Sequence, residues 1–403
     1  MCIRNRLIML LAILVLLVSS CQSTSRTSEI VEFATPHVPV VVGKIKVKNP
    51  SSPGGIVVNA RTGYVYIANT QEVAVLKGTD VIKEIQTGGG DAKSMAVDEA
   101  NGLVYVVNSD KDAVTVIQDT EVIGTVLTVG KNPSDIAIEP RSGFAYVVSS
   151  YRSRPLGIEP LEGNILVLSG TRVIGNINLG PLIPRRAVAD PVGGYVYAGG
   201  SKEMLVLKGL HKIARHKIKS LDSMAVNPRT GEVYALASQT LYRFKESKLI
   251  DSVELPPDLG NTWQIRVQPL TGAVYIPHSG YVPSEGRILV VREMKAVADI
   301  QVGALATLGI DPLFGNIFVG NHTGRGKDVG TVMVVNDTKV LATYRMEWLP
   351  YSIGVNPANG WGYVFDGTTI TVLGYPQNKL TVPAQTETIP VTPKIHPTPV
   401  VYP

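Results

Sequence analysis

Eight copies of one fifteen-residue pattern run through this 403-residue chain and leave it few folds to choose from. They begin at Gly55, Ser94, Asp135, Arg186, Ser223, Gln264, Thr307 and Ser352. The fifth copy, SMAVNPRTGEVYALA at 223–237, shows the plan. Met224 and Val226 alternate with smaller residues, as in a half-buried strand. Asn227, Pro228, Arg229, Thr230 and Gly231 form a turn: Asn suits its first position, Pro presets φ, and Gly accepts the left-handed conformation that returns the chain. Val233 and Tyr234 begin a second strand. Position nine is glycine in all eight copies: Gly63, Gly102, Gly143, Gly194, Gly231, Gly272, Gly315 and Gly360. Position twelve is tyrosine in seven copies and Phe318 in one.

A third apolar strand follows each copy, and a fourth follows in seven, for example 81–86 and 122–128. The eighth copy lacks its fourth strand. An orphan segment lies upstream instead: VVGKIKVKNP at 41–50 resembles VIGTVLTVGKNP at 122–133. The expectation is that strand 41–47 completes the last blade, which removes two open sheet edges. Successive copies start 39, 41, 51, 37, 41, 43 and 45 residues apart, and a period near forty built from short strands is the signature of propeller blades. The fold expected is an all-β propeller of eight four-stranded blades over 40–373. Seven is the alternative count, with the fourth copy, which has no Asn or Thr around Gly194, as the place where eight could fail. The excess lengths fall between second and third strands, at 150–163, 279–286 and 322–330, so the insertions gather on one face, often the binding face of a repeat protein.

The first twenty residues read as a targeting segment. Arg4 and Arg6 give a basic start, and 7–18 is an apolar run too short for a stable span. Val18-Ser19-Ser20-Cys21 resembles the lipobox of bacterial lipoproteins, which implies a leader at 1–20, acylation of Cys21 and a polar tether over 21–39. Loss of Cys2 with the leader would leave no cysteine for a disulfide, a redox centre or a thiolate metal site. The implied location is the cell envelope, anchored on the extracytoplasmic side of a membrane. The formal charge of +5, or +3 without the two leader arginines, is too small to imply nucleic acid. Residues 374–403 are rich in Pro and Thr and read as an extended, mobile tail.

The cores Gly63-Tyr64-Val65-Tyr66-Ile67-Ala68-Asn69 and Gly102-Leu103-Val104-Tyr105-Val106-Val107-Asn108 resemble the YVTN-type β-propeller repeat. That resemblance implies the fold. For function it spans surface-layer modules, secreted binding proteins and lactonase-like enzymes.

Propeller function is expected on the face carrying the second-to-third and fourth-to-first connections. Those connections hold Arg152, Arg154, Arg185, Arg186, Trp263, His278, Tyr281, His322, Arg325, Lys327, Trp348, Tyr351 and Asp366. Arginines with aromatics are the composition of binding hot spots, although loops are polar in any case. His278, His322 and Asp366 lie on successive blades and are the best zinc candidates, but two solvated loop histidines are the better reading, since zinc needs three or four converging groups. Asp328, in a Gly-rich loop, is one carboxylate where calcium needs six to eight oxygens. No nucleophile elbow, His-Glu-x-x-His pair or phosphate loop is present, so neither a catalytic residue, a metal nor a cofactor is assigned. The function expected is a monomeric, membrane-anchored binding or scaffold module for a protein, glycan or small ligand. A hydrolase or lyase of the lactonase-like type and a surface-layer or wall-spacing element are the alternatives.

Overall fold

The computed structural model describes residues 37–375 except 48–54, 70–71, 89–91, 130–131, 151–161, 258, 260–261, 263, 279–285 and 323–329. The leader, the tether as far as residue 36 and the tail beyond 375 lie outside the described residues. Within them the chain forms eight antiparallel four-stranded sheets, each a blade. Seven blades are made of four consecutive strands. The eighth joins the two ends of the chain: Val40–Lys46 pairs antiparallel with Thr369–Gly374, placing Lys44 opposite Thr371 and Lys46 opposite Thr369. The fourth copy is a regular blade, Pro184–Asp190 through His211–Lys217, so the count is eight.

The turn inside each copy explains two of its fixed positions. The glycine at position nine has φ between +70° and +79° in every blade. At Gly231 space forbids a side chain as well, because a Cβ there would lie 2.4 Å from Asp190 Oδ1. At position five a polar side chain folds over the turn and accepts its N–H groups. Asn59 Oδ1 accepts from Arg61 N and Thr62 N, Glu139 accepts from Arg141 N and Ser142 N, and Asp311 Oδ1 accepts from Leu313 N and Phe314 N.

Position twelve ties five of the blades to the next. Tyr66 Oη donates to Asp119 O at 2.8 Å, Tyr146 to Gly209 O at 3.2 Å, Tyr275 to Asp337 O at 2.9 Å, and Tyr197 to Glu246 O. Tyr105 Oη accepts from Gly170 N at 3.0 Å. Every partner belongs to the hairpin between the third and fourth strands of the following blade, and each has a positive φ. The rings are buried, so their hydroxyls need these partners, and withdrawal from water pushes those of Tyr105 and Tyr146 up to about 12. Tyr234 departs from the rule: its hydroxyl lies 3.3 Å from Glu232 Oε2 in its own blade, where an acid stands two residues before the ring. The apolar core is divided in the same way, between blades rather than within them. Val65 and Leu76 of the first blade pack with Phe365 and Val372 of the eighth, so the core runs unbroken across the closure.

Phe318 also finds its reason here. The blade after it is the closing one, whose third and fourth strands come from opposite chain ends and have no connecting hairpin. A hydroxyl at that position would lack the acceptor its counterparts use. The ends are held by other means. Tyr375 Oη donates to Asp311 Oδ2 at 2.5 Å, Asn316 Nδ2 donates to Tyr375 Oη and to His37 O at 2.7 Å each, and Tyr344 Oη donates to Pro39 O. The His37 ring stacks on Phe314 at 4.7 Å, and Phe314 meets Tyr375 at 4.3 Å. Among the described residues, His37–Pro39 and Tyr375 therefore pack onto the propeller whose strands the repeat pattern places at 40–373.

This closure carries a pH signature. Burial raises the Asp311 carboxyl from its ordinary 3.8 to about 6, against the opposing hydrogen bond from Tyr375 and those from Leu313 N and Phe314 N. The folded state thus binds this proton more tightly than the unfolded chain does. Its contribution is fully present below about pH 4 and is lost as pH rises through about 6. Asn occupies the same position at Asn59, Asn227 and Asn356, so Asp311→Asn keeps the turn acceptor. Relative to that variant, the native chain is expected to lose stability on the order of 2 kcal/mol between pH 4 and 7. Denaturant melts of both proteins at each pH check this; a flat difference, or one of opposite slope, contradicts it.

Candidate functional site

The innermost strands converge on a central channel, and their first residues form its rim on the loop face. Five blades carry a register shift at that point, where the ladder register skips Lys93, Ser134, Arg185, Asp222 and Ala306. A bulge of this kind re-aims a side chain and is over-represented beside functional sites. Here it places Lys93, Ser134, Arg185 and Asp222 on four consecutive blades.

The next residue in the strand stitches neighbouring blades. Ser94 Oγ donates to Asp135 Oδ1 at 2.8 Å, Asp135 Oδ2 accepts from Ala187 N at 3.0 Å, and Ser223 Oγ accepts from Ile265 N at 3.0 Å. Arg186 and Arg266 bear on Asp135 electrostatically. Desolvation raises the Asp135 carboxyl, opposed by its hydrogen bonds from Ala187 N and Ser94 and by the Arg186 charge. Desolvation likewise lowers Arg266, opposed by the Asp135 charge and reinforced by the Arg186 charge. At the rim, desolvation raises Asp222, offset by the bond from Ser238 N and by Arg185. Arg186 and Arg266 thus bear on Asp135, and Arg185 bears on Asp222.

The expected binding residues separate into distinct groups. Arg185 and Arg186 are exposed at the rim. Trp348 and Tyr351 lie on the connection into the last blade and are 40% and 50% exposed. His278 and Asp366 are buried at 3% and 2% exposure and occupied locally. His278 Nε2 lies 3.2 Å from Asp299 Oδ1, and Arg287 Nε donates to Asp299 Oδ2 at 2.6 Å, so this trio braces the second, third and fourth strands of its blade. Asp366 Oδ1 accepts from Thr368 N, Thr369 N and Thr368 Oγ1. Two of the three zinc candidates are thus occupied locally, and among the described residues no three His, Cys, Asp or Glu side chains could hold a metal. Arg152, Arg154, Trp263, Tyr281, Arg325, Lys327 and the His322 side chain lie outside the described residues.

Two features escaped the sequence reading although the repeat contains their signal. Position fifteen, where His278 and Asp366 stand, is a structural position that organises the second-to-third connection. Asn69 Oδ1 accepts from Glu72 N at 2.8 Å, Asn108 Nδ2 donates to Thr115 Oγ1 at 2.9 Å, and Thr331 Oγ1 donates to Asn321 Oδ1. Arg266 is the second. It fills position three, where the other copies have Val57, Ala96, Ala137, Val188, Ala225, Gly309 and Gly354. A long cation at a small apolar position was visible by alignment of the copies alone.

No family model and no curated protein matches the sequence. Solved propellers resemble it in fold. Hydrazine synthase from Kuenenia stuttgartiensis has a TM-score of 0.52 at 16% identity, over 82% of this chain and 97% of that one. The Dos1 propeller has a TM-score of 0.64 at 10% identity, over 83% and 95% respectively. BamB from Moraxella catarrhalis has a TM-score of 0.61 at 12% identity, over 84% and 100%. At these identities the likeness establishes a shared β-propeller architecture.

The bracing role of His278 is testable. His278→Ala is expected to cost about 1–2 kcal/mol, the loss of a buried hydrogen bond to a carboxylate, with His278→Asn milder because Asn serves that position in three other blades. Thermal melts with and without zinc read both roles. A zinc-induced rise in Tm that vanishes in His278→Ala contradicts the bracing assignment.

Proposed function

We propose that this chain is an extracytoplasmic scaffold of the YVTN-repeat type, held to a membrane through acylated Cys21, that binds a partner protein on its loop face. The observation that carries the reading is the pair Trp348 and Tyr351. They stand three positions apart on one connection, exposed at 40% and 50%, while the position-twelve aromatics are buried between blades. Rigid aromatics supply large contact area at low entropic cost, and guanidinium groups supply forked donors, so exposed aromatics with Arg185 and Arg186 suit a protein surface. The ring behind them is closed by strand pairing, which makes the face pre-organised. A hydrolytic reading would call on His278, His322 or the arginines, and of these His278 is engaged within its own blade.

Two measurements test the anchor and the face separately. Cys21→Ala is expected to leave the melting transition unchanged and to move the chain from the membrane fraction to the soluble one, since the acyl chains supply the attachment. Photo-crosslinking in the native envelope from position 348 is expected to trap a discrete partner that crosslinking from Ile250, on an outer strand, does not. Alanine at Trp348 or Tyr351 should then weaken that complex by about 2 kcal/mol or more while Tm stays put. Retention of Cys21→Ala in the membrane fraction overturns the anchor, and equal crosslinking from both positions overturns the face.

A further inference from the structure

The docking face leaves the inside of the ring unexplained. A cavity of about 360 Å³ occupies the channel, walled by the innermost strands and turns of the fourth to eighth blades. That volume is at the small end of ligand pockets, which are apolar with a few polar groups that fix orientation. The wall is of this kind: Val226, Val267, Ile310 and Val355 with the turn prolines, and Arg266 as the one charged lining residue.

Among the described residues Arg266 has charge partners and one hydrogen bond. Among the described residues its acceptor is Ile265 O, reached by Nη1 at 3.1 Å. The balancing carboxylate, Asp135, takes its bonds from Ser94 Oγ, Ala187 N and Ile136 N instead. Among the described residues Arg186 likewise donates to Arg185 O, at 3.4 Å. Two guanidinium groups therefore share the field of one carboxylate and are hydrogen-bonded to neither of its oxygens. Of these three side chains the two guanidinium groups outnumber the one carboxylate, and Arg266 is the charged residue on the cavity wall.

We propose that the channel binds a small apolar monocarboxylate, its carboxylate on the Arg266 guanidinium and its body between the valine, isoleucine and proline walls. One negative charge neutralises the excess. A planar carboxylate matches the guanidinium fork in two parallel bonds. A phosphate dianion would overshoot the charge and would bring a strongly hydrated group against an apolar wall that offers it no donors. This site lies inside the channel and does not rest on the scaffold reading.

The test is calorimetric titration of the full chain with 3-phenylpropanoate and hexanoate, with 3-phenylpropanamide as the neutral counterpart and inorganic phosphate as competitor. The acids are expected to bind with one-to-one stoichiometry, the amide at least about tenfold more weakly, and phosphate is expected not to displace them. Arg266→Gln is expected to weaken the acids by about tenfold or more, and Arg186→Gln, at an exposed position, by less. If Arg266→Gln fails to fold by circular dichroism, Val226→Phe decides, because it fills the cavity without touching the charges and should abolish binding. Absence of saturable binding by either acid, equal binding of acid and amide, displacement by phosphate, or full affinity in a folded Arg266→Gln or Val226→Phe each overturns the proposal.

Discussion

A tyrosine hydroxyl on one blade, bonded to the outer hairpin of the next, is the contact on which the ring depends. A single four-stranded sheet of this size cannot bury both of its faces. Its apolar residues are satisfied only by a neighbour set at the right angle, and the apolar clusters lie between blades accordingly. Non-directional packing alone does not fix that angle. The bond from Tyr66, Tyr146, Tyr197 or Tyr275 does, because it ties the base of a second strand to one carbonyl of the following blade.

Function follows from how the ring ends. The closing blade borrows its outer strand from the start of the chain, and the aromatic cluster of His37, Phe314 and Tyr375 replaces the missing hairpin. The loop face lies apart from this closure, although some of its residues still stitch neighbouring blades. That face presents bulged rim residues and exposed aromatics, while the interior keeps a cavity in which Arg266 is the one charged lining residue among the described residues. The two surfaces ask for different partners: a broad one for Trp348 and Tyr351, and a small one for the cavity.

The fold was legible because its constraints repeat. A glycine held at φ near +70° and a ring that must reach the next hairpin tolerate few substitutes, so they recur and can be counted. Even the exception at Phe318 carries information, since it marks the blade that precedes the closure. The site was less legible because sites break repeats instead of obeying them. His278 and Asp366 looked like candidate ligands by residue type, and their position in the repeat, shared with Asn69 and Asn108, was the better guide to what they do. Arg266 lies in a strand, where a search confined to loops does not look. The rim bulges depend on the register between two strands, which is a property of the pair and leaves no mark in either strand alone.

The most direct test of the latch is a reciprocal exchange, Tyr275→Phe against Phe318→Tyr, with unfolding free energies measured by denaturant titration. Tyr275→Phe removes a hydroxyl and orphans the Asp337 carbonyl, and a loss of about 1 kcal/mol is predicted. Phe318→Tyr adds a buried hydroxyl where no hairpin waits to receive it, and a loss of about 1–3 kcal/mol is predicted. A neutral Tyr275→Phe, or a Phe318→Tyr that gains stability, would contradict the account.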